Sequence, residues 1–72
     1  MHRRVTGTVK WFYAPNGVGM ISADDGSGDY FVSRNAILVL GTVTLLEGQR
    51  VTFDPQLEGL TLVAFNVGLA LG

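Results

Sequence analysis

Apolar and polar residues alternate in short runs along the chain, and glycines separate the runs. In the first run, Val5, Gly7, Val9 and Trp11 alternate with Thr6, Thr8, Lys10 and Phe12. Two-residue alternation of β-branched and aromatic side chains is typical of a β-strand. No stretch of ten or more residues keeps apolar positions at helical spacing without a glycine or a β-branched run. The pattern therefore predicts an all-β chain.

Turn-forming residues divide the chain further. We predict strands at Val5 to Tyr13, Gly17 to Ala23, Asp29 to Ser33, Gln49 to Pro55 and Leu60 to Val67. Turns are predicted at Ala14 to Gly17, Asp24 to Gly28 and Leu57 to Gly59. Pro55 should end the fourth strand or confine it to an edge. A three-stranded meander, a longer connection over Arg34 to Glu47 with a single helical turn, and a final hairpin fit a five-stranded Greek-key barrel.

The length and residue counts limit the class of protein. A chain of 72 residues forms one small domain, residues 1–72. Without cysteine there is neither a disulfide nor a thiolate zinc site, and the single His2 cannot build a histidine metal site. No segment is apolar enough to span a membrane or to act as a signal peptide. We expect a soluble cytoplasmic protein without metal or cofactor.

The charge balance alone does not point to nucleic acid. Five basic and six acidic residues make up only 15% of the chain, whereas 47% is apolar. Charged residues are about 25% of a typical domain. A small domain has too little interior for so many apolar side chains, so some of them are expected on the surface.

Three motifs in register carry a resemblance to a known family. The segment Thr6 to Phe12 resembles the opening strand of the bacterial cold-shock proteins, which reads Gly-x-Val-Lys-Trp-Phe. Asn16 to Ile21 and Asp29 to Arg34 stand where that family has its two ribonucleoprotein motifs, Lys-Gly-Phe-Gly-Phe-Ile and Asp-Val-Phe-Val-His-Phe. The match is strongest over residues 5–67. The resemblance implies an oligonucleotide-binding (OB) barrel of the cold-shock-domain type, which is the fold that the turn spacing also predicts.

The same resemblance implies a function. Cold-shock proteins bind single-stranded RNA and DNA on an exposed aromatic face and act as RNA chaperones. The candidate contact residues carried over, including positions where this sequence departs from the family, are Lys10, Trp11, Phe12, Val18, Met20, Asp29, Tyr30, Phe31, Ser33 and Arg34. Trp11 and Phe12 are neighbours in one strand and should face opposite ways, so at least one of them can instead be a core residue.

The departures from the family pattern predict weakened binding. Val18 and Met20 replace both phenylalanines of the first motif, and Ser33 and Arg34 replace the histidine and phenylalanine of the second. Asn16 and Thr42 replace a lysine and a loop aromatic. Each stacked base contributes about 1–3 kcal/mol, so losing two platforms removes roughly 2–6 kcal/mol. Arg34 can retain some function, because a guanidinium can stack on a base and also meet a phosphate.

Other chemistry finds little support in the sequence. The acidic segment Asp24 to Asp29 lacks the acid spacing and the distal glutamate of a calcium loop. Gly17-Val18-Gly19 lacks the third glycine and the βαβ context of a dinucleotide site. The serines have no histidine base apart from His2 near the chain end, so we do not expect an enzyme.

The apolar surplus suggests an alternative function. It falls mainly between residues 37 and 46 and in the last hairpin. The candidate interaction patch is Leu38, Val39, Leu40, Val43, Leu46, Leu60 and Leu62. Such a patch could serve self-association or docking to a larger protein assembly, with the barrel kept as a scaffold. Alternatively, residues 37–46 fold over an open end of the barrel.

Overall fold

Five strands form the structure, a computed structural model that describes residues 4–38 and 44–70. The strands are β1 (Val5–Tyr13), β2 (Val18–Ala23), β3 (Asp29–Ser33), β4 (Arg50–Glu58) and β5 (Thr61–Leu69). A single 3₁₀ turn, Arg34–Ala36, follows β3. The predicted bounds of β1 and β3 are confirmed, and β2 begins one residue later than predicted.

The strands close into a barrel in the order β1-β2-β3-β5-β4. Strand β1 pairs antiparallel with β2 on one side and with β4 on the other, which closes the barrel. The one parallel pairing among these strands joins β3 to β5, where Phe31 lies opposite Val63. This order is a meander followed by a crossover and a hairpin, so the predicted five-stranded Greek-key barrel is confirmed.

The inward positions of the strands fill the barrel. The six largest side chains that are almost fully buried are Val9, Ile21, Val32, Val51, Phe53 and Val67. Tyr30, Leu45 and Ala64 join them, together with Val5, Ala23 and Ala36. Because side chains alternate along each strand, burying this set leaves the intervening residues of β2 and β3 on the outer surface.

The last hairpin differs from the sequence prediction. Strand β4 continues through Pro55 to Glu58, so the prediction that Pro55 ends the strand is wrong. Strand β1 pairs with β4 only as far as Phe53, and Pro55 pairs only with Ala64 of β5. A proline is tolerated where a strand has a partner on one side, as the edge alternative predicts. The turn consequently falls at residues 59–60, where Gly59 has a φ of 61°.

Candidate nucleic-acid interface

One row of side chains crosses the outer face of four neighbouring strands. Trp11 of β1 lies opposite Met20 of β2, and Met20 lies opposite Phe31 of β3. Val63 of β5 continues the row beyond Phe31. Trp11 is 45% exposed, and the other three side chains are half-buried. The row therefore presents two aromatic rings to solvent with a methionine between them, and we call it the Trp11 row.

An irregularity in β1 turns Trp11 outward. Val9 pairs with Ile21 and Trp11 pairs with Met20, so Lys10 is an extra residue that has no partner in β2. Such a β-bulge shifts the alternation of a strand by one residue. Val9 is buried, Lys10 and Trp11 are both exposed, and Phe12 turns inward again. The bulge thus places two candidate contact residues on the same side of the sheet.

Two further rows flank the Trp11 row. Towards the β1–β2 turn, Tyr13 lies opposite Val18, and Val18 lies opposite Ser33. Towards the other end, Ser22 lies opposite Asp29. Val18 and Ser33 are half-buried on this outer face, as the register of the motifs predicts.

Two of the candidate aromatics lie elsewhere. Phe12 is half-buried and packs against the core cluster, opposite Gly19 of β2. A Cβ atom on residue 19 would lie 2.7 Å from the Phe12 ring, so the glycine makes room for it. Tyr30 is only 5% exposed; its ring packs at 4.9 Å from that of Phe53, and its hydroxyl hydrogen-bonds with that of Ser27 at 2.9 Å. The structure corrects the placement of Tyr30 on the face, because β3 alternates and Phe31 takes the outward position.

The sequence reasoning missed Tyr13. Its side chain is 56% exposed and belongs to the same outer face as Trp11. The signal was present in the sequence, because Tyr13 follows Trp11 by two residues in one strand and residues two apart share a face. The family motif ends at Phe12, so the resemblance alone does not indicate Tyr13.

Ion pairs reduce the positive charge that is available to a phosphate. Lys10 Nζ lies 2.8 Å from Asp29 Oδ2, and both side chains are close to half exposed. Arg4 pairs with Asp54, and Arg50 pairs with Asp24. Of the four cationic side chains in residues 4–38 and 44–70, Arg34 alone has no acidic partner.

Backbone contacts position Arg34 beside the β1–β2 turn. Its guanidinium donates a hydrogen bond to the carbonyl oxygen of Ala14 at 3.0 Å. Its backbone N–H donates a hydrogen bond to the carbonyl oxygen of Gly17 at 2.7 Å. Gly17 has a φ of 68°, and a Cβ atom there would lie 2.6 Å from the Arg34 Nε. Glycine at this position therefore serves both the left-handed turn and the close approach of the guanidinium.

The pair of Asp24 and Arg50 lies away from the Trp11 row, at the start of β4 and the end of β2. The guanidinium donates two hydrogen bonds to the carboxylate, one of them 2.9 Å long, and a third to the hydroxyl of Thr8. These bonds hold the pKa of Asp24 below its ordinary value and raise that of Arg50. Both groups are structural partners rather than part of the candidate interface.

Leu38 and Leu60, two members of the interaction patch, lie near different ends of β5. Leu38, Leu46 and Leu60 are exposed, whereas Leu62 is half-buried against the core. The backbone N–H of Leu38 bonds to Val67, seven residues along the chain from Leu60. At about 3.3 Å per residue, these points are about 23 Å apart along the chain. Val39, Leu40 and Val43, and the substituted Thr42, lie outside the described residues.

The described residues contain no helix long and apolar enough to cross a membrane. Within the same ranges, no group of three or more histidine, cysteine, aspartate or glutamate side chains is placed to hold a metal ion.

Comparison with known proteins identifies similar chains. The family described as the 'Cold-shock' DNA-binding domain matches residues 5–69. The chain is 53% identical over 67 residues to the cold shock-like protein CspB of Escherichia coli, covering 93% of this chain and 94% of the relative. It is 54% identical over 61 residues to cold shock protein 1 of Lactiplantibacillus plantarum, covering 85% and 91%.

A solved structure has a similar fold. The structure of Drosophila Unr CSD456 superposes on 96% of this chain with a TM-score of 0.80 at 16% sequence identity. This chain spans 27% of the length of that one. The likeness supports the same barrel architecture.

Proposed function

This chain belongs to the 'Cold-shock' DNA-binding domain family, and on that premise we propose that it binds single-stranded RNA and DNA by stacking bases on the Trp11 row. Proteins of this family bind nucleic acids. The observation that carries the proposal is that the exposed Trp11 ring and the half-buried Phe31 ring lie in a single outward row across adjacent strands. In this proposal the protein acts as a binding chaperone of weakly structured RNA in the cytoplasm and performs no catalysis.

Stacking suits the chemistry of this face. Every base has a π-face, so aromatic side chains bind successive bases with little sequence preference. The half-buried setting of Phe31 holds its ring in place, which lowers the entropy lost when a base stacks on it. Lys10 lies beside Trp11 and supplies a charge for the backbone once its pairing with Asp29 is exchanged for a phosphate.

Two features support weakened binding. Val18 and Met20 occupy outward positions of β2 without a ring, which removes roughly 2–6 kcal/mol of stacking relative to a face with aromatic side chains at both. Electrostatic attraction compensates little, because Lys10 is already paired and Arg34 is the one unpaired cation in residues 4–38 and 44–70. We therefore expect shallow salt dependence.

The test is a titration of the protein with oligo-dT and oligo-U at low salt, in which the fluorescence emission of Trp11 is measured. Trp11 is the single tryptophan of the chain, so the signal reports on this face alone. Stacking should quench the emission along a saturable curve. An emission that stays flat at tens of micromolar strand would contradict the proposal. A blunt-ended duplex of the same length serves as the control, since its bases are not free to stack on the protein.

A second candidate function rests on Leu57 and Leu60. Both are exposed at the hairpin between β4 and β5, where Leu60 projects entirely into solvent. Exposed apolar side chains at one end of a small barrel favour a protein-binding role with the barrel as scaffold. Sedimentation at micromolar concentration distinguishes the two: self-association that Leu60→Ser abolishes would support this candidate, and a monomer that quenches with oligo-dT would support the first.

A further inference from the structure

The Tyr13 side chain is exposed, and its contacts within the barrel do not explain why an aromatic residue stands there. Its side chain is more exposed than that of Trp11, although tyrosine is a large and mostly apolar residue. In residues 4–38 and 44–70, no side chain hydrogen-bonds its hydroxyl and no other ring packs against it. A ring held outward on a strand without a partner adds little to the stability of the barrel, so a role outside folding is the more direct explanation.

Tyr13 lies next to a position of the outer face that lacks an aromatic ring. Tyr13 lies directly opposite Val18, the residue that stands where the motif of the family has a phenylalanine. Side chains opposite each other on antiparallel strands have Cβ atoms about 5 Å apart. The ring missing from β2 is thus present on β1, one strand away and in the same row.

A free positive charge lies at the same end of the face. The Arg34 guanidinium bonds to the carbonyl oxygen of Ala14, the residue that follows Tyr13. Ser33, which precedes Arg34, lies in the row of Tyr13 and Val18. A surface groove of about 410 Å³ runs between the β1–β2 turn and the 3₁₀ turn, with Val18, Ser33 and Arg34 in its lining. A base next to Tyr13 would therefore have a groove and a guanidinium beside it.

We propose that Tyr13 and Arg34 form a nucleotide subsite, in which a base stacks on the Tyr13 ring and an adjacent phosphate binds the Arg34 guanidinium. This proposal rests on the proposed function and extends it to a position outside the family motif. Residues two apart in a strand are separated by about 6.6–6.8 Å, twice the spacing of about 3.4 Å between stacked bases. A base on Tyr13 can thus be bound at the same time as a different base on Trp11.

Fluorescence anisotropy of a labelled oligo-dT tests the stacking half. Tyr13→Ala should weaken binding about 5- to 140-fold, the range expected for one stacked base, and Tyr13→Phe should stay within about two-fold of the wild type. The double variant Tyr13→Ala/Val18→Phe moves the ring back to β2 and should recover most of the loss. If Tyr13→Ala lowers the melting temperature, Tyr13→Leu makes the same test with an apolar side chain that has no ring.

Salt dependence tests the phosphate half. Arg34→Gln should reduce the slope of log affinity against log salt by about 0.7, the contribution of one phosphate contact to a single strand. Arg50→Gln is the matched control, because it removes the same charge from a guanidinium that Asp24 already neutralises off this face. Equal slopes for the two variants would overturn the role of Arg34.

The outcomes separate this inference from the proposed function. A wild type that binds oligo-dT and a Tyr13→Ala variant of equal affinity would overturn the subsite and leave stacking on the Trp11 row intact. A wild type that does not bind would overturn both. Loss of affinity in Tyr13→Ala, retention in Tyr13→Phe and recovery in the double variant would establish the subsite.

Discussion

Met20 of β2 lies directly opposite Trp11 of β1, and it separates that ring from the ring of Phe31 on the next strand. The methionine occupies a position where the family motif has a phenylalanine. It keeps an apolar, polarisable contact under a base but offers no flat surface. Met20 is thus the position between the two rings that contributes least to base stacking. Placing a ring there is the most direct way to raise the affinity of this face for a single strand.

Met20→Phe should tighten binding of oligo-dT by about 1–3 kcal/mol, since it supplies one more stacking surface between two existing rings. The side chain is half-buried on the outer face, so a larger residue has access to solvent and should leave the fold unchanged. Quenching of Trp11 emission measures the gain. Met20→Leu, which changes the side chain without adding a ring, should bind as the wild type does. Equal gains in both variants would show that apolar bulk rather than stacking is responsible.

Asp29→Asn should raise the affinity several-fold at low salt and steepen the salt slope by about 0.7, because it releases Lys10 to bind a phosphate. Titrations at several salt concentrations measure both effects. Asp24→Asn is the matched control, since it makes the same change in net charge at a carboxylate that faces Arg50. If Asp29→Asn weakens binding instead, the carboxylate itself contacts the strand.

The pair of Asp24 and Arg50 predicts a pH effect on stability. Hydrogen bonds from Arg50 lower the folded-state pKa of Asp24 below 3.8, so the pair stabilises the fold above that pH and loses its effect as the pH falls through the folded-state value. The wild type should therefore melt at a higher temperature than Asp24→Asn near neutral pH, and the gap should close below pH 3.8. Thermal unfolding monitored by circular dichroism at several pH values measures this difference in melting temperature. A gap of constant size down to about pH 2 would show that another effect separates the two proteins.

Gly19→Ala should destabilise the barrel by about 1–3 kcal/mol, because a Cβ atom there would lie 2.5 Å from the carbonyl oxygen of Trp11 and 2.7 Å from the Phe12 ring. Chemical denaturation gives the free energy of unfolding. Gly68→Ala is the control: its Cβ would come no closer than 3.7 Å to another residue, so alanine there should be neutral or stabilising by about 0.5–1 kcal/mol. Similar free energies of unfolding for the two variants would contradict this account of Gly19.

The fold was predictable from the sequence because local signals agreed. Two-residue alternation placed the strands, and turn residues placed the first two turns. The last hairpin was predicted less well. Whether a strand passes through Pro55 depends on how many strands flank it, and only the closed barrel shows that β1 has already diverged there.

The candidate site was predictable only in part. Motif register placed Trp11 and Phe31, but the bulge at Lys10 decides which of two adjacent aromatics faces outward, and bulges leave no clear mark in one sequence. Tyr30 was placed beside Phe31 because the two are adjacent, although strand alternation puts them on opposite sides. Tyr13 was missed because the family motif ends at Phe12, whereas the two-residue alternation of β1 continues to Tyr13.

The central claim is that Trp11 stacks on bases and does not hold the fold together. Anisotropy of a labelled oligo-dT with the Trp11→Ala variant tests it most directly, with a thermal melt of the same sample. The account predicts binding about 5- to 140-fold weaker than wild type and a melting temperature within a few degrees of it, because the side chain is 45% exposed and is not part of the core cluster. Trp11→Phe should retain most of the affinity. Unchanged affinity in Trp11→Ala, or loss of the folded barrel, would contradict the claim.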